Sequence, residues 1–193
     1  MAKNVIITGT SRGIGFELVN QFTAEGHRVF ALSRNDQPTR QFEGCTSISC
    51  DLTIEKQINQ SVANILKEVD SIDILINNSG LLVNKPFTDL SLDDWQQSYR
   101  VNVFGVALLV KALIPAMHKG SHVVNVSSMG GVMGSAKFPG LSAYSSSKGA
   151  LITMTEVLAE EFKEGRNPNY DYSLPIKRKN EAGFFTFSYD DGL

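Results

Sequence analysis

The segment Val5-Ile6-Ile7-Thr8-Gly9-Thr10-Ser11-Arg12-Gly13-Ile14-Gly15 limits the possible folds of this chain more than any other. An apolar β-branched run, a glycine-punctuated turn and the start of an amphipathic helix follow one another without a spacer. Apolar residues on consecutive positions are the mark of a strand covered on both faces, and so of a parallel sheet. Gly9 lets the chain leave the strand in a conformation closed to other residues. Gly13 and Gly15 remove the Cβ atoms that would hold an anion and the strand away from the helix N-terminus. Backbone N–H groups and the positive end of the helix then face that anion. The glycines stand as G-x-x-x-G-x-G rather than G-x-G-x-x-G, so context must carry the reading; taken alone, the segment also fits a glycine-rich turn of another α/β protein.

At 193 residues the chain suits a single core, and 42% apolar with 20% charged residues is ordinary for a globular protein. A net charge of −2 exerts no long-range pull on nucleic acid or anionic membrane, which leaves small molecules as the expected partners. Cys45 and Cys50 make no disulfide framework and read as buried or inert thiols. The N-terminus runs directly into a core strand, which predicts no signal peptide. No apolar run approaches the length of a bilayer crossing, and the expected location is the reducing cytoplasm. His27, His118 and His122 lack metal-ligand spacing, so no metal is expected.

Along the chain, helical periodicity from Ile14 closes at Gly26, and Arg28 to Ser33 reads as a second strand. The residue closing such a strand lies beside an adenosine ribose, where an acid suits a 2′-hydroxyl and an arginine a 2′-phosphate. Arg34 stands there, with Arg12 in the glycine turn as a second cation. The pair favours NADP(H), although each alone fits a solvated loop and Asp36 keeps NAD(H) open. A third strand, Thr46 to Cys50, ends in Asp51-Leu52. Asp51 either meets an adenine amino group or begins a loop, and Thr53 reads as the cap of a helix bearing Ile54, Ile58, Val62 and Ile65. Strand four, Ile72 to Asn77, leads to Asn78-Ser79-Gly80, whose amides need backbone or ligand partners if buried. Ser91 and Asp94 form a capping box ahead of a helix predicted over Asp93 to Met117, broken late by Pro115. Strand five, Val123 to Ser128, is followed by a glycine-rich loop and a last helix over Ala143 to Lys163.

Tyr144 and Lys148 stand four residues apart at the start of that helix and so share a face. A lysine ammonium about 4 Å from a phenol favours the phenolate by roughly 4 kcal/mol at an effective dielectric of about 20. That is enough to bring a tyrosine of ordinary pKa toward neutrality as a general acid or base. Ser128 can donate to a carbonyl oxygen as charge develops there, and Asn102 can anchor a water in a proton relay.

The arrangement resembles the classical short-chain dehydrogenase/reductase family. The matching residues are Thr8-Gly9 with Ser11, Arg12, Gly13, Ile14 and Gly15 at the phosphate turn; Asp51-Leu52 at the adenine; Asn77-Asn78-Ser79-Gly80; and the tetrad Asn102, Ser128, Tyr144 and Lys148. The resemblance implies a three-layer, doubly wound Rossmann fold with strand order 3-2-1-4-5. It implies an oxidoreductase interconverting a carbonyl and an alcohol with NADP(H) in preference to NAD(H), paired as a homodimer or homotetramer through its long helices. Tyr144 and Lys148 would also contact the nicotinamide ribose. It covers about residues 3–162, and the expected division is a dinucleotide-binding domain over 1–164 and an atypical tail over 165–193.

Past Glu164 the family would supply a further parallel strand, a proline-glycine turn and substrate-binding helices. Here the chain reads Asn167-Pro168-Asn169-Tyr170, a basic Lys177-Arg178-Lys179 and an aromatic Phe184 to Tyr189. The aromatic segment is expected either to cover the exposed edge of strand five or to form a tail. A second function stays open beside the enzyme: a catalytically impaired relative that binds dinucleotide as an assembly module.

Overall fold

The β-branched opening run forms β1 (Asn4–Thr8), in which Val5, Ile6 and Ile7 are each fully buried on alternating faces. The computed structural model describes residues 2–162, together with the backbone of residues 169–178 and 181–188. In it β1 pairs in parallel with β2 (Arg28–Ser33), and β2 with β3 (Cys45–Ser49). On its other side β1 pairs with β4 (Ile72–Asn77), and β4 with β5 (Met117–Val126). The strand order 3-2-1-4-5 is the one expected.

Helices cover both faces. α2 (Glu55–Ile65), α4 (Gly105–Leu113) and α5 (Ser142–Glu161) bury Ile58, Val62, Leu109, Leu113 and Leu151 against Ile6, Phe30, Leu75 and Val123. On the opposite face α1 (Gly13–Ala24) packs Val19, Leu18 and Phe22 over Val5, Ile7, Val29 and Ala31. Each fully buried branched side chain contributes about 1.5–3 kcal/mol, so this two-sided burial holds the carboxyl ends of the strands in register. α1 ends where Gly26 takes a left-handed φ of +80°: its N–H bonds Thr23, and that of His27 bonds Phe22, at 2.9 and 3.0 Å.

Several sequence expectations need correction. Thr53 does not cap α2. Its N–H and hydroxyl both go to Asp51 Oδ1, at 2.9 and 2.8 Å, because a carboxylate two residues back is the stronger acceptor, and Ile54 takes the cap position. The helix predicted from Asp93 to Met117 is divided. α3 (Leu92–Tyr99), started by the expected Ser91/Asp94 capping box, passes through a π turn over Arg100–Phe104 into α4. Pro115 then closes the run in a 3-10 turn over Ile114–Ala116. Met117 belongs to β5, opposite Ile72, and the strand bulges before resuming with His122 opposite Ile74. Within the run Leu92–Ala116 an 18-residue window reaches a mean hydropathy of 1.4, so by length and composition this run is long and apolar enough to cross a membrane, contrary to the expectation from sequence. Much of that apolar character serves the core, since Val106, Leu109, Val110 and Leu113 are buried.

The edge of β5 is covered, but not by the aromatic segment. β6 (Asn169–Arg178) runs parallel to it, with His122 opposite Asn169 through Val126 opposite Ser173. Tyr170, Tyr172, Leu174 and Ile176 alternate with polar or proline residues, the period of a strand, and Pro175 lies beyond the last residue paired with β5. The aromatic run lies in β7 (Glu181–Ser188), antiparallel to β6 with Phe187 opposite Tyr172. Lys179 and Tyr189 lie outside the described residues.

Candidate active site

At the carboxyl end of β1 the glycine turn is shaped by two close approaches. Gly9 has φ +71°, its N–H bonds Leu32, and a Cβ on it would fall 2.8 Å from Ser79 Cα. A Cβ on Gly15 would fall 2.4 Å from the Gly9 carbonyl oxygen and 2.5 Å from Asn78 Nδ2. Gly13, at φ +62°, faces open space instead. α1 starts at Arg12 without a side-chain cap and carries no acid in its first turn, so its first N–H groups are left to an outside acceptor. Thr10 Oγ1, buried in this turn, finds no hydrogen-bond partner among the described residues.

Asn78 and Ser79 form the opposite wall. Asn78 Nδ2 donates to the carbonyls of Thr8 and Gly9 at 3.0 and 3.2 Å, and Ser79 N–H to Thr8 Oγ1 at 3.0 Å. These bonds satisfy the amide that the sequence left in search of a partner. Asn77 points the other way, donating to Asn125 Oδ1 at 2.8 Å; Asn125 in turn donates to Thr155 on α5.

Next along the same edge, Asn102 sits fully buried in the π turn. Its Oδ1 accepts from Leu81 N–H at 2.8 Å, and its Nδ2 donates to Leu81 O at 3.0 Å and to Ser147 Oγ at 2.9 Å. Both Nδ2 hydrogens are engaged with protein, which leaves the second lone pair of Oδ1 as the part of the amide that could hold a water. π turns in helices often mark functional positions, and this one carries a buried polar side chain at the junction between the polar α3 and the apolar α4.

Ser128 starts the turn after β5, and its Oγ accepts from Gly130 N–H at 3.2 Å. Tyr144, half-buried on the first turn of α5, has its phenol pushed above the ordinary tyrosine value by burial, with a hydrogen bond from the Ser128 hydroxyl acting in the opposite direction. Lys148 is 3% exposed, and its Nζ donates to Val126 O at 2.7 Å. It lies beside Gly80, on which a Cβ would fall 3.6 Å from Nζ and 3.7 Å from Asn102 Oδ1. Burial lowers the Lys148 pKa to about 8. The spacing of Lys148 predicts a phenol drawn toward neutrality, whereas burial raises it; the Lys148 Nζ is spent on a backbone carbonyl, and burial disfavours its ammonium form.

At the far end of the edge the predicted adenine residues divide. Leu52 is 6% exposed and its side chain belongs to the core, which leaves only its backbone for a ligand, while Asp51 Oδ1 is held by Thr53. Asp36 is paired with Arg40 at 2.8 Å, whereas Arg12 and Arg34 are exposed. Among the described residues no group of three His, Cys, Asp or Glu side chains could hold a metal ion. Sequence reasoning missed Ser147, Val126 and Leu81. The last two act through backbone, and Ser147 stands unmarked in a run of three serines.

A family model described as short chain dehydrogenase matches residues 3–166. The chain is 34% identical over 168 residues to the cyclopentanol dehydrogenase of Comamonas testosteroni, covering 81% of this chain and 66% of that protein. To Oxidoreductase BOA17 of Botryotinia fuckeliana it is 32% identical over 169 residues, covering 83% and 61% respectively. The chain thus spans a little under two thirds of the length of these relatives. Its fold matches a short-chain dehydrogenase from Streptomyces avermitilis with a TM-score of 0.83 at 29% identity, over 95% of this chain and 69% of that one.

Proposed function

The chain belongs to the short-chain dehydrogenase family, and on that premise we propose that it interconverts a carbonyl and an alcohol by hydride transfer with a nicotinamide dinucleotide. The observation that carries the proposal is the gathering of Tyr144, Ser128 and Lys148 on the same sheet edge as an uncapped helix start. The residues present fit the nucleotide. Gly9 and Gly15 allow the turn to close, Gly13 leaves an open approach, and the first N–H groups of α1 lack an internal cap. When bound, that group supplies the hydride.

The protein supplies orientation and a proton. Ser128 donates a hydrogen bond to the substrate oxygen as negative charge grows there, and Tyr144 protonates it. A phenol whose pKa is raised by burial is protonated at neutral pH, the form that carbonyl reduction consumes. Lys148 would hold the ribose hydroxyls of the nucleotide, and an ammonium near the phenol would favour the phenolate left after proton transfer. Asn102 keeps Leu81, and with it the loop of Asn78 to Gly80, in place.

NADP(H) is favoured over NAD(H). What supports this preference is that the Asp36–Arg40 pair occupies the nearby acid, while Arg12 and Arg34 are both exposed and their guanidinium forks suit a 2′-phosphate. Small apolar alcohols and ketones are the first substrates to try, given the cyclopentanol dehydrogenase relative. Self-association, as a homodimer or homotetramer, would use the long helices, on which Leu92, Phe104 and Val157 are exposed. The free thiols Cys45 and Cys50, both pushed up by burial, suit a reducing cytoplasm.

Titration with NADPH and NADH tests the nucleotide assignment. Tighter binding of NADPH, reduced at least tenfold in a R12A/R34A variant while NADH binding holds, is the expected result. Equal affinities untouched by the double substitution would contradict it. Binding without turnover across a carbonyl panel would instead describe a nucleotide-binding module, which the dehydrogenase relatives do not favour.

A further inference from the structure

Ser147 belongs to no part of the tetrad, yet it is fully buried between two of its members. Its hydroxyl donates to the carbonyl of Tyr144 at 2.7 Å, one turn back on α5, and accepts from Asn102 Nδ2 at 2.9 Å. Asn102 uses the rest of its amide to grip both backbone polar groups of Leu81. Three segments far apart in sequence are thereby joined in one chain of short hydrogen bonds: the loop after β4, the π turn between α3 and α4, and the first turn of α5.

We propose that Ser147 is a positioning residue, whose hydroxyl locks the nucleotide-facing loop of Asn78 to Leu81 to the helical turn that presents Tyr144. The assignment rests on the redox reading of the site. Without this hydroxyl a buried amide donor loses its acceptor, and the loop and the helix can shift independently. A serine bonding back to a carbonyl three residues earlier gives the helix nothing by itself, which leaves the bond to Asn102 as the reason for a hydroxyl at this position. Lys148 follows in sequence and faces the same cleft, so both groups that meet the substrate and ribose hang on the turn that Ser147 secures.

The test compares S147A with the wild-type chain. S147C keeps the volume with a weaker acceptor and serves the same comparison should S147A fail to fold. NADPH binding is expected to weaken severalfold, and kcat to fall about tenfold or more with little change in carbonyl KM. The ultraviolet titration of the Tyr144 phenol, read against Y144F, is expected to move down toward the ordinary tyrosine value as the turn loosens. The cysteine variant is expected to fall between serine and alanine. Binding and phenol titration do not need turnover: a wild-type chain that binds NADPH but turns over no carbonyl defeats the redox reading and leaves these two readouts standing. Wild-type nucleotide affinity and phenol titration in a folded S147A or S147C overturn the assignment.

Discussion

At the scale of single residues the site is governed by what burial does to two titratable groups. Lys148, with a pKa lowered from 10.5 to about 8, loses its proton in the folded chain while the unfolded chain still holds it. Between about pH 8 and 10.5 the unfolded state therefore binds more protons, and this group's contribution to stability rises with pH. The stability of the wild-type chain relative to K148M is expected to climb by about 3 kcal/mol across that window, measured by denaturant unfolding at stepped pH. A flat difference would mean that the ammonium is solvated. The candidate tetrad could be named from the sequence only through its resemblance to a family; helical spacing by itself joins Tyr144 to Lys148 and no others. The electrostatics of these residues were not legible there: whether Lys148 faces Tyr144 or the Val126 carbonyl depends on a backbone group contributed by another element. The same blindness hid Ser147, since a hydroxyl gains meaning only from the amide placed opposite it.

At the scale of elements, the opening strand, turn and helix were read correctly because consecutive burial and left-handed glycines leave a local trace. Gly15 and Gly13 divide that trace into two physical causes. An alanine at Gly15 puts its Cβ against the Gly9 carbonyl and Asn78, whereas one at Gly13 meets only the strain of a left-handed φ. G15A is expected to weaken NADPH binding at least tenfold and to destabilise by about 1–3 kcal/mol, the ordinary cost of overpacking. G13A should cost about 1–2 kcal/mol with a smaller loss of binding. Calorimetric titration of the two variants separates them, and equal losses would contradict the wedge of Asn78 into the turn. The division of the predicted helix over Asp93 to Met117 was hidden for a related reason. Its apolar period continues through the π turn, and only the pull of Leu81 and Ser147 on Asn102 marks the break.

At the scale of the whole molecule the account requires a closed sheet behind the site. Ser128 starts the turn that follows β5, and β6 pairs with β5 over five residues, from His122 to Val126. Amides of β5 that face β6 are expected to exchange slowly with solvent, as those facing β4 do; rapid exchange on the β6 side alone would mean that this edge is open. The strand was missed in the sequence because proline and charge interrupt its composition, while the alternation of Tyr170, Tyr172, Leu174 and Ile176 persists beneath them. The proposed function has Tyr144 deliver the proton for carbonyl reduction at the edge where the nucleotide would bind. It is tested most directly by following NADPH absorbance over a panel of ketones and aldehydes with the wild-type chain and Y144F. Turnover by the wild-type chain and a loss of about 100-fold or more in Y144F at unchanged nucleotide affinity are the expected results. NADPH consumption by Y144F at the wild-type rate, or none by a wild-type chain saturated with nucleotide, would contradict it.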